Sequence, residues 1–448
     1  MPISIREFLA QGPATSKQIQ AATELKQSAV STALREMGEQ IVTFQRGRSP
    51  FYAMTCNAFG GGDSLPLTMV DAYGNNNTVA LVRPLSHGGF CLEPLPGMPA
   101  VLTGEQGNGL FDDLPYFLDD LRPQGFIGRQ IAVQMSEQSA DFPADPRNWS
   151  SEHVGQYLIS NGDDLPGNFK FGPQARLRMR RAPEISSVAD YPELAERVLA
   201  GSLSGSSAGG EQPKFTTFCG ELSAHVIVKF SPKGDDRVAQ RWRDILITEF
   251  HATVALHGGN LPAAETRLIE RGGRLFLESQ RFDRVGVYGR MSMISLQAVD
   301  AELVGLGTSW PKVILELAIK ELISGEDLID ALVLWRFGHL INNSDMHLGN
   351  LSLGIEGDMF RLLPVYDMCS MGFAPKGGEA LSFNFHVSSE SMSMIDAHVN
   401  QRIAESVTVM ARNFWSKVAA DDRISDEFRT FLALGNPIDR MASANISS

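Results

Sequence analysis

Asp345, Asn350 and Asp367 are the residues whose types and spacing could do chemistry. An aspartate, an asparagine five positions on and a second aspartate behind the apolar run Met359–Leu363 form the grammar of phosphoryl transfer on Mg²⁺. In that grammar the first Asp takes the proton of the attacking hydroxyl, while the Asn and the second Asp hold the metal on the phosphates. An isolated Asp or Asn in a loop is more often a turn residue. That bland reading needs three things to coincide by chance: the Asp–Asn spacing, the strand that delivers Asp367, and a lysine-bearing strand upstream. His347 lies between the pair, and no second residue at metal-ligand spacing makes it a zinc ligand.

Other elements must position these groups. Gly201 to Lys214 reads Gly-Ser-Leu-Ser-Gly-Ser-Ser-Ala-Gly-Gly-Glu-Gln-Pro-Lys, small residues whose backbone N–H groups can close around an anion. It lacks Gly-Lys-Ser/Thr, so it is not a Walker A loop. A Ser/Gly-rich stretch alone is usually a linker. Here strands at Phe215–Phe218 and Ser223–Phe230 follow it, the arrangement that covers ATP in a kinase N-lobe. Lys229 ends the β-branched run of the second strand. Taken alone it would be a solubilising edge lysine; under a phosphate loop it is a phosphate contact. The helix Arg237–Leu256 offers Glu249 as its partner, with Asp244 as a shorter rival. A strand from Arg274 runs into Gln280-Arg281-Phe282-Asp283-Arg284, where a lobe hinge would present backbone groups to adenine. The apolar helix Leu328–Ile341 would carry the catalytic loop, and Arg402–Val418 reads as packing in the same lobe.

Composition bounds the rest. A chain of 448 residues exceeds the size at which one core stops growing, so several domains are expected. No apolar run approaches the roughly 18 to 20 residues of a membrane span, and no signal peptide is apparent. The four cysteines are scattered, which supports neither a zinc site nor a disulfide framework and makes a reducing cytoplasm the default. The net charge of −13 argues against a nucleic-acid coat. The first 55 residues differ: six Lys/Arg and four Glu give them +2, leaving −15 on the remainder.

That basic head reads as a winged helix. Short amphipathic helices are expected at Ile3–Gln11, after Thr15 or Ser16, and from Gln27 or Ser28, where Val30, Leu34 and Met37 share one face. The other face shows Gln27, Ser31, Thr32 and Arg35, groups suited to base edges and phosphates. The strands Ile41–Phe44 and Phe51–Met54 flank a basic turn carrying Arg46 and Arg48, which would meet phosphates or a minor groove. A head that does not bind DNA, or that dimerises, is the alternative. Beyond it, Ala58–Tyr73 with its three glycines looks like a linker, and Thr78–Arg83 and Gly88–Leu92 like strands. Leu110–Leu121 looks helical, and Arg122–Arg129 like a tight structural corner. His153–Asn161 and Tyr191–Ala200 read as helices.

Taken together, Ser207 to Lys214, Lys229, Gln280 to Arg284, Asp345 to Asn350 and Tyr366-Asp367 resemble the HipA-like serine/threonine kinases, toxins of bacterial toxin–antitoxin systems. The chain looks like a branch that carries its own N-terminal winged helix. The resemblance implies an α+β, two-lobed protein-kinase-like fold with that added domain. It divides the chain at 1–55 (winged helix), 56–185 (N-terminal subdomain), 186–290 (kinase N-lobe) and 291–448 (helical C-lobe). It implies ATP and Mg²⁺ as cofactors and Asp345 as the catalytic base, with Asn350 and Asp367 as metal ligands. Gly209, Gly210, Glu211, Gln212, Pro213 and Lys214 become the phosphate loop, Lys229 the phosphate lysine, and Gln280, Arg281 and Phe282 the adenine hinge. His347 and Tyr366 fall within the nucleotide-site segments. Ser207, or its neighbour Ser206, matches a loop serine whose autophosphorylation silences family members. A protein substrate, an aminoacyl-tRNA synthetase or other translation factor, is implied by the resemblance alone. The sequence leaves open a homodimer and a separate antitoxin. It also leaves open a DNA-binding regulator with a non-catalytic kinase-like body, or a small-molecule kinase, although the usual His-Gly-Asp of the latter is missing.

Overall fold

The structure, a computed structural model, describes residues 3–176, 182–201, 212–383, 385 and 401–440. The chain opens with helices α1 (Ile5–Ala10), α2 (Ser16–Thr23) and α3 (Gln27–Met37), with strand β1 (Ala14–Thr15) before α2 and strands β2 (Ile41–Arg46) and β3 (Ser49–Met54) after α3. Ser4 with Glu7 and Thr15 with Gln18 close reciprocal capping boxes, which satisfy helix-start N–H groups that would otherwise lack partners. The strands form an antiparallel sheet of order β1-β3-β2. Leu9, Ile19 and Val30 are fully buried between the helices and this sheet. Gln27, Ser31, Thr32 and Arg35 are exposed on the opposite side of α3, and Arg48 is exposed in the hairpin turn.

A second sheet follows, of order β7-β6-β5-β4-β8, built from β4 (Leu65–Val70), β5 (Asn76–Pro84), β6 (Phe90–Pro94), β7 (Leu110–Phe111) and β8 (Phe169–Phe171). Helices α4 (Tyr116–Asp119), α5 (Gly125–Gln138) and α6 (Ser151–Asn161) accompany it. Three expectations are corrected here. Ala58–Tyr73 is not a linker: its glycines make only a turn, and β4 pairs on both edges with Leu65 and Leu67 fully buried. Leu110–Leu121 is not one helix, because Pro115 bars helical geometry at Leu114 and leaves β7 and the single turn α4. Arg122–Arg129 is the entrance of α5 and not a corner. Gly128 is a packing residue there, since a β-carbon would lie 2.5 Å from the Pro123 carbonyl carbon.

The head is fastened to this sheet. Val42, Phe44 and Ala53 bury against Leu85 and Cys91, and the buried Arg83 guanidinium donates to the carbonyls of Asp63, at 2.7 Å, and Glu39.

The remaining chain has the two-lobed, kinase-like α+β form expected of it. Strands β9 (Ile185–Ser186), β10 (Lys214–Cys219), β11 (Ala224–Phe230), β12 (Thr266–Arg271) and β13 (Arg274–Gln280) form a sheet of order β12-β13-β11-β10-β9. Tyr191 of α7 (Tyr191–Gly201) packs with Phe215, Val228, Phe230 and Phe276 on one face. The long helix α8 (Arg237–Gly258) contacts β11, β12 and β13. The second lobe carries short strands β14 (Arg284–Val285), β15 (Gly289–Arg290) and β16 (Ile294–Ser295), then α9 (Leu296–Leu303), α10 (Trp310–Ile319) and α11 (Gly325–Leu340). The hairpin β17 (Ser352–Glu356) and β18 (Met359–Leu362) follows, with helices at Gln401–Ala419 and Asp426–Ala433. The side chains of α11 are buried from Ala331 to Phe337, as its all-round apolar sequence requires. No helix among the described residues is long and apolar enough to cross a membrane.

One buried charge network ties the middle sheet to the segment joining the lobes. Asp283 binds Arg281 at 2.9 Å, Arg284 at 2.6 Å and the Gly167 N–H at 2.9 Å. Arg284 continues to Asp164 and to the carbonyls of Gly167 and Leu165. Burial alone would raise the Asp283 carboxyl; the two guanidinia hold it down at about 2. A depressed carboxylate stabilises the fold fully above its unfolded value near 3.8, and that contribution is lost as pH falls toward 2. Asp283→Asn should therefore cost about 3 kcal/mol near neutral pH and flatten the stability curve between pH 4 and 2, measured by urea unfolding across pH.

Candidate active site

The sequence grammar becomes geometry at Lys229. Its Nζ lies 2.5 and 2.6 Å from the two carboxylate oxygens of Glu249 on α8, and 2.5 Å from Oδ1 of Asp367. Side-chain exposure is 7% for Lys229 and 4% for Glu249, against 30% for Asp367. One ammonium thus joins strand β11, helix α8 and the second lobe. Burial works against its charge, but the Asp367 and Glu249 carboxylates overcome this and raise its pKa. Asp367 is held down at about 2, because the charges of Lys229 and Lys214 outweigh its burial. Asp244, the rival partner, faces elsewhere: it accepts from Ser425 N and Oγ at 2.8 and 2.7 Å.

The β10–β11 register sets Lys214 directly opposite Lys229, so both side chains leave one face of the sheet. Both lysine charges act on Asp367. Gln212, next to that strand, is buried, and its Nε2 donor has no partner among the described residues. Such an orphaned donor fits an anion in the loop. Gly209, Gly210, Glu211, Ser206 and Ser207 lie outside the described residues, and Pro213 leads into β10.

The loop carrying Asp345 leaves α11 through Asn342, whose φ is 62°, a left-handed conformation that Asn tolerates. Asn343 is buried and works in two directions. Its Oδ1 accepts the Asp345 N–H at 3.0 Å, and its Nδ2 donates to the Asp367 carbonyl at 3.4 Å. Asp345 itself is exposed, with His347 Nε2 3.7 Å from its Oδ1. Asn350 donates Nδ2 to the Asp345 carbonyl at 2.6 Å. His347 caps the following turn through Gly349 N–H at 3.1 Å, and Trp310 Nε1 holds the His347 carbonyl at 2.9 Å. Tyr366 reaches Ser352 Oγ at 3.0 Å and the Gly349 carbonyl at 3.3 Å, and its ring lies 5.9 Å from that of Phe282. Asp367 has φ 54°, strain of the kind that concentrates at functional sites.

These placements bring Lys214, Lys229, Asp345, His347, Asn350, Tyr366, Asp367 and Phe282 around one cleft. Gln280 ends β13 with its N–H on the Glu265 carbonyl. Arg281 is committed to the hinge itself, its N–H to the His225 carbonyl and its guanidinium to Asp283. Asn343 and Trp310 are positioning residues that sequence reasoning gave no role. Asn343 stood inside the motif, but only its hydrogen bonds to Asp345 and Asp367 reveal what it does.

The oxygen donors fit a hard divalent cation. Asn350 spends its Nδ2 on Asp345 and leaves Oδ1; Asp367 spends Oδ1 on Lys229 and leaves Oδ2 without a partner among the described residues. One charged and one neutral oxygen, with room for water and phosphate, is the donor set Mg²⁺ takes in phosphotransferases. In the double-mutant cycle of Lys229→Met with Glu249→Gln, a coupling energy above about 1 kcal/mol is expected from unfolding measurements, because Lys229→Met alone strands a buried carboxylate.

Comparison with known proteins accords with this geometry. Residues 206–423 match the model for the HipA-like C-terminal domain, and residues 61–180 that for the YjjJ-like toxin middle domain. Toxin YjjJ of Escherichia coli (strain K12) is 34% identical over 435 residues, covering 95% of this chain and 94% of that one. The Shewanella oneidensis MR-1 HipA, solved with HipB and its operator DNA, superposes with a TM-score of 0.60 at 16% identity, over 82% of this chain and 94% of that one. The chain belongs to the HipA-like toxin family, in its YjjJ-like branch.

Proposed function

We propose that this chain is a Mg-ATP-dependent protein serine/threonine kinase. The observation that carries the reading is the Lys229 ammonium bound at once to Glu249 and Asp367, beside a loop that holds Asp345 exposed. Mg²⁺ on Asn350 and Asp367 would offset charge on the transferred phosphoryl. Lys229, Lys214 and Gln212, with Gly209 to Glu211 and Pro213, position the triphosphate. Phe282 and Tyr366 flank the nucleotide, and of the hinge Gln280 to Phe282 it is the Phe282 backbone that meets adenine, since the Gln280 and Arg281 N–H groups are spent on Glu265 and His225. Asp345 accepts the proton of the acceptor hydroxyl, and His347 keeps the loop's turn. Ser207 or Ser206 is the loop serine for autophosphorylation. Asp345→Gln should lower phosphate transfer by about a thousandfold while Mg-ATP binding survives. Asp367→Asn should lose both. Unchanged transfer of labelled phosphate by the Asp345 variant overturns the assignment.

The head supports a second activity in the same chain. A helix–turn–helix followed by a basic hairpin, with Gln27, Ser31, Thr32 and Arg35 exposed together on α3, suits a winged helix in a major groove. The S. oneidensis HipA complex contains HipB and operator DNA; here the head would make the DNA contact itself. Arg35→Ala and Arg48→Ala should each weaken operator binding and reduce the salt slope by about one. A binding isotherm and salt slope unmoved by both changes would exclude this contact.

A further inference from the structure

A cavity of about 1070 Å³ lies between the head, the middle sheet and α9. It is larger than the roughly 300–1,000 Å³ of a small-molecule pocket. Gln297 of α9 lines it, and Gln297 Oε1 would lie 3.2 Å from a β-carbon on Gly349, so one side chain stands between the cavity and the Asp345–Asn350 loop. Arg46 of the hairpin lines it too, so the wing, the middle sheet and the second lobe all contribute.

The lining has seven carboxylates against four arginines, a balance that repels a phosphate backbone. Much of the basic side is spent internally. Arg122 pairs with Asp119 and Arg147 with Asp145, each at 2.6 Å. Glu105, Asp112 and Glu302 lie near one another in the lining, with Lys320 3.7 Å from Glu105 Oε1. Asp112 is exposed, and Glu302 accepts the Glu105 N–H at 3.1 Å. Burial, with the Glu105 and Asp112 carboxylates nearby, raises Glu302 above its ordinary value, a repulsion that a cation would relieve.

We propose that this cavity receives the acceptor protein as an extended segment, with a lysine or arginine on the Glu105–Asp112–Glu302 wall and its serine or threonine hydroxyl passing Gln297 to Asp345. This rests on the kinase reading and adds no new chemistry. The bond to the β-phosphate oxygen of ATP breaks, a bond to the acceptor oxygen forms, the hydroxyl proton goes to Asp345, and ADP leaves.

The test uses the full chain, two fluorescent serine-peptide pools fixed with Lys/Arg or with Asp/Glu around the serine, and a single-stranded RNA of the same length. Anisotropy reads binding, and labelled ATP reads transfer. The basic pool should bind and react at least about tenfold better than the acidic pool. Asp112→Lys and Glu302→Lys should each erase that preference with ATP binding unchanged; the exposed Asp112 position guards against a folding defect at Glu302. Equal use of both pools, a preference that survives both variants, or tighter binding of the RNA overturns the proposal. Basic-pool binding that both variants abolish, without transfer by the parent chain, supports the site and sinks the kinase reading instead.

Discussion

The Lys229 ammonium is the constraint on which the rest of the site depends. A buried cation persists only if its carboxylates are delivered to it. Here they come from two other places: Glu249 from the helix after the strand, Asp367 from the far lobe. The sheet, α8 and the Asp367 turn therefore have little freedom relative to one another. Lys214 stands across from Lys229 in the sheet register, so two cations face Glu249 and Asp367 before any ligand arrives. Asn343 then carries the constraint onward, since one side chain holds both the Asp345 backbone and the Asp367 carbonyl.

The Asp283 network plays a matching part in the segment that joins the lobes. Its groups come from the hinge and from the Asp164–Gly167 loop of the middle sheet. The middle sheet is thus bound into the kinase-like body by charge as well as by packing. The Ser295 N–H on Asp120, at 2.7 Å, and the Ala100 N–H on Asp358, at 2.7 Å, repeat the pattern at other seams. The hydrophobic core follows suit, running without a break from the middle sheet through α11 to the C-terminal helices.

Legibility in the sequence followed the range of the signal. The helices and hairpin of the head were readable because their cues are local: Thr15 caps α2 within four residues, and Val30 and Leu34 repeat at helical spacing. The middle was misread where glycine serves packing. Gly60 to Gly62 suggested a linker and hid the buried Leu65, Leu67 and Val70 of a strand whose register shifts at Leu67/Thr68, while Gly125 and Gly128 suggested a corner where a helix begins. At Gly128 the cause is the Pro123 backbone, a neighbour that no local pattern announces.

By itself the sequence determined the chemical inventory of this protein: an Asp-x₄-Asn loop, a strand-borne Asp, a lysine under a small-residue loop, and a capped basic head. Residue type and spacing carry that information because phosphoryl chemistry and helix capping each need particular groups at short, set intervals. Only the tertiary structure decided which groups meet. It paired Lys229 with Glu249 and sent Asp244 to Ser425, turned Arg281 into a brace for Asp283, and brought Gln297 beside Gly349 and Arg46 into the same cavity. Those choices rest on burial and on the mutual satisfaction of charges far apart in the chain, and neither leaves a periodic mark on the sequence.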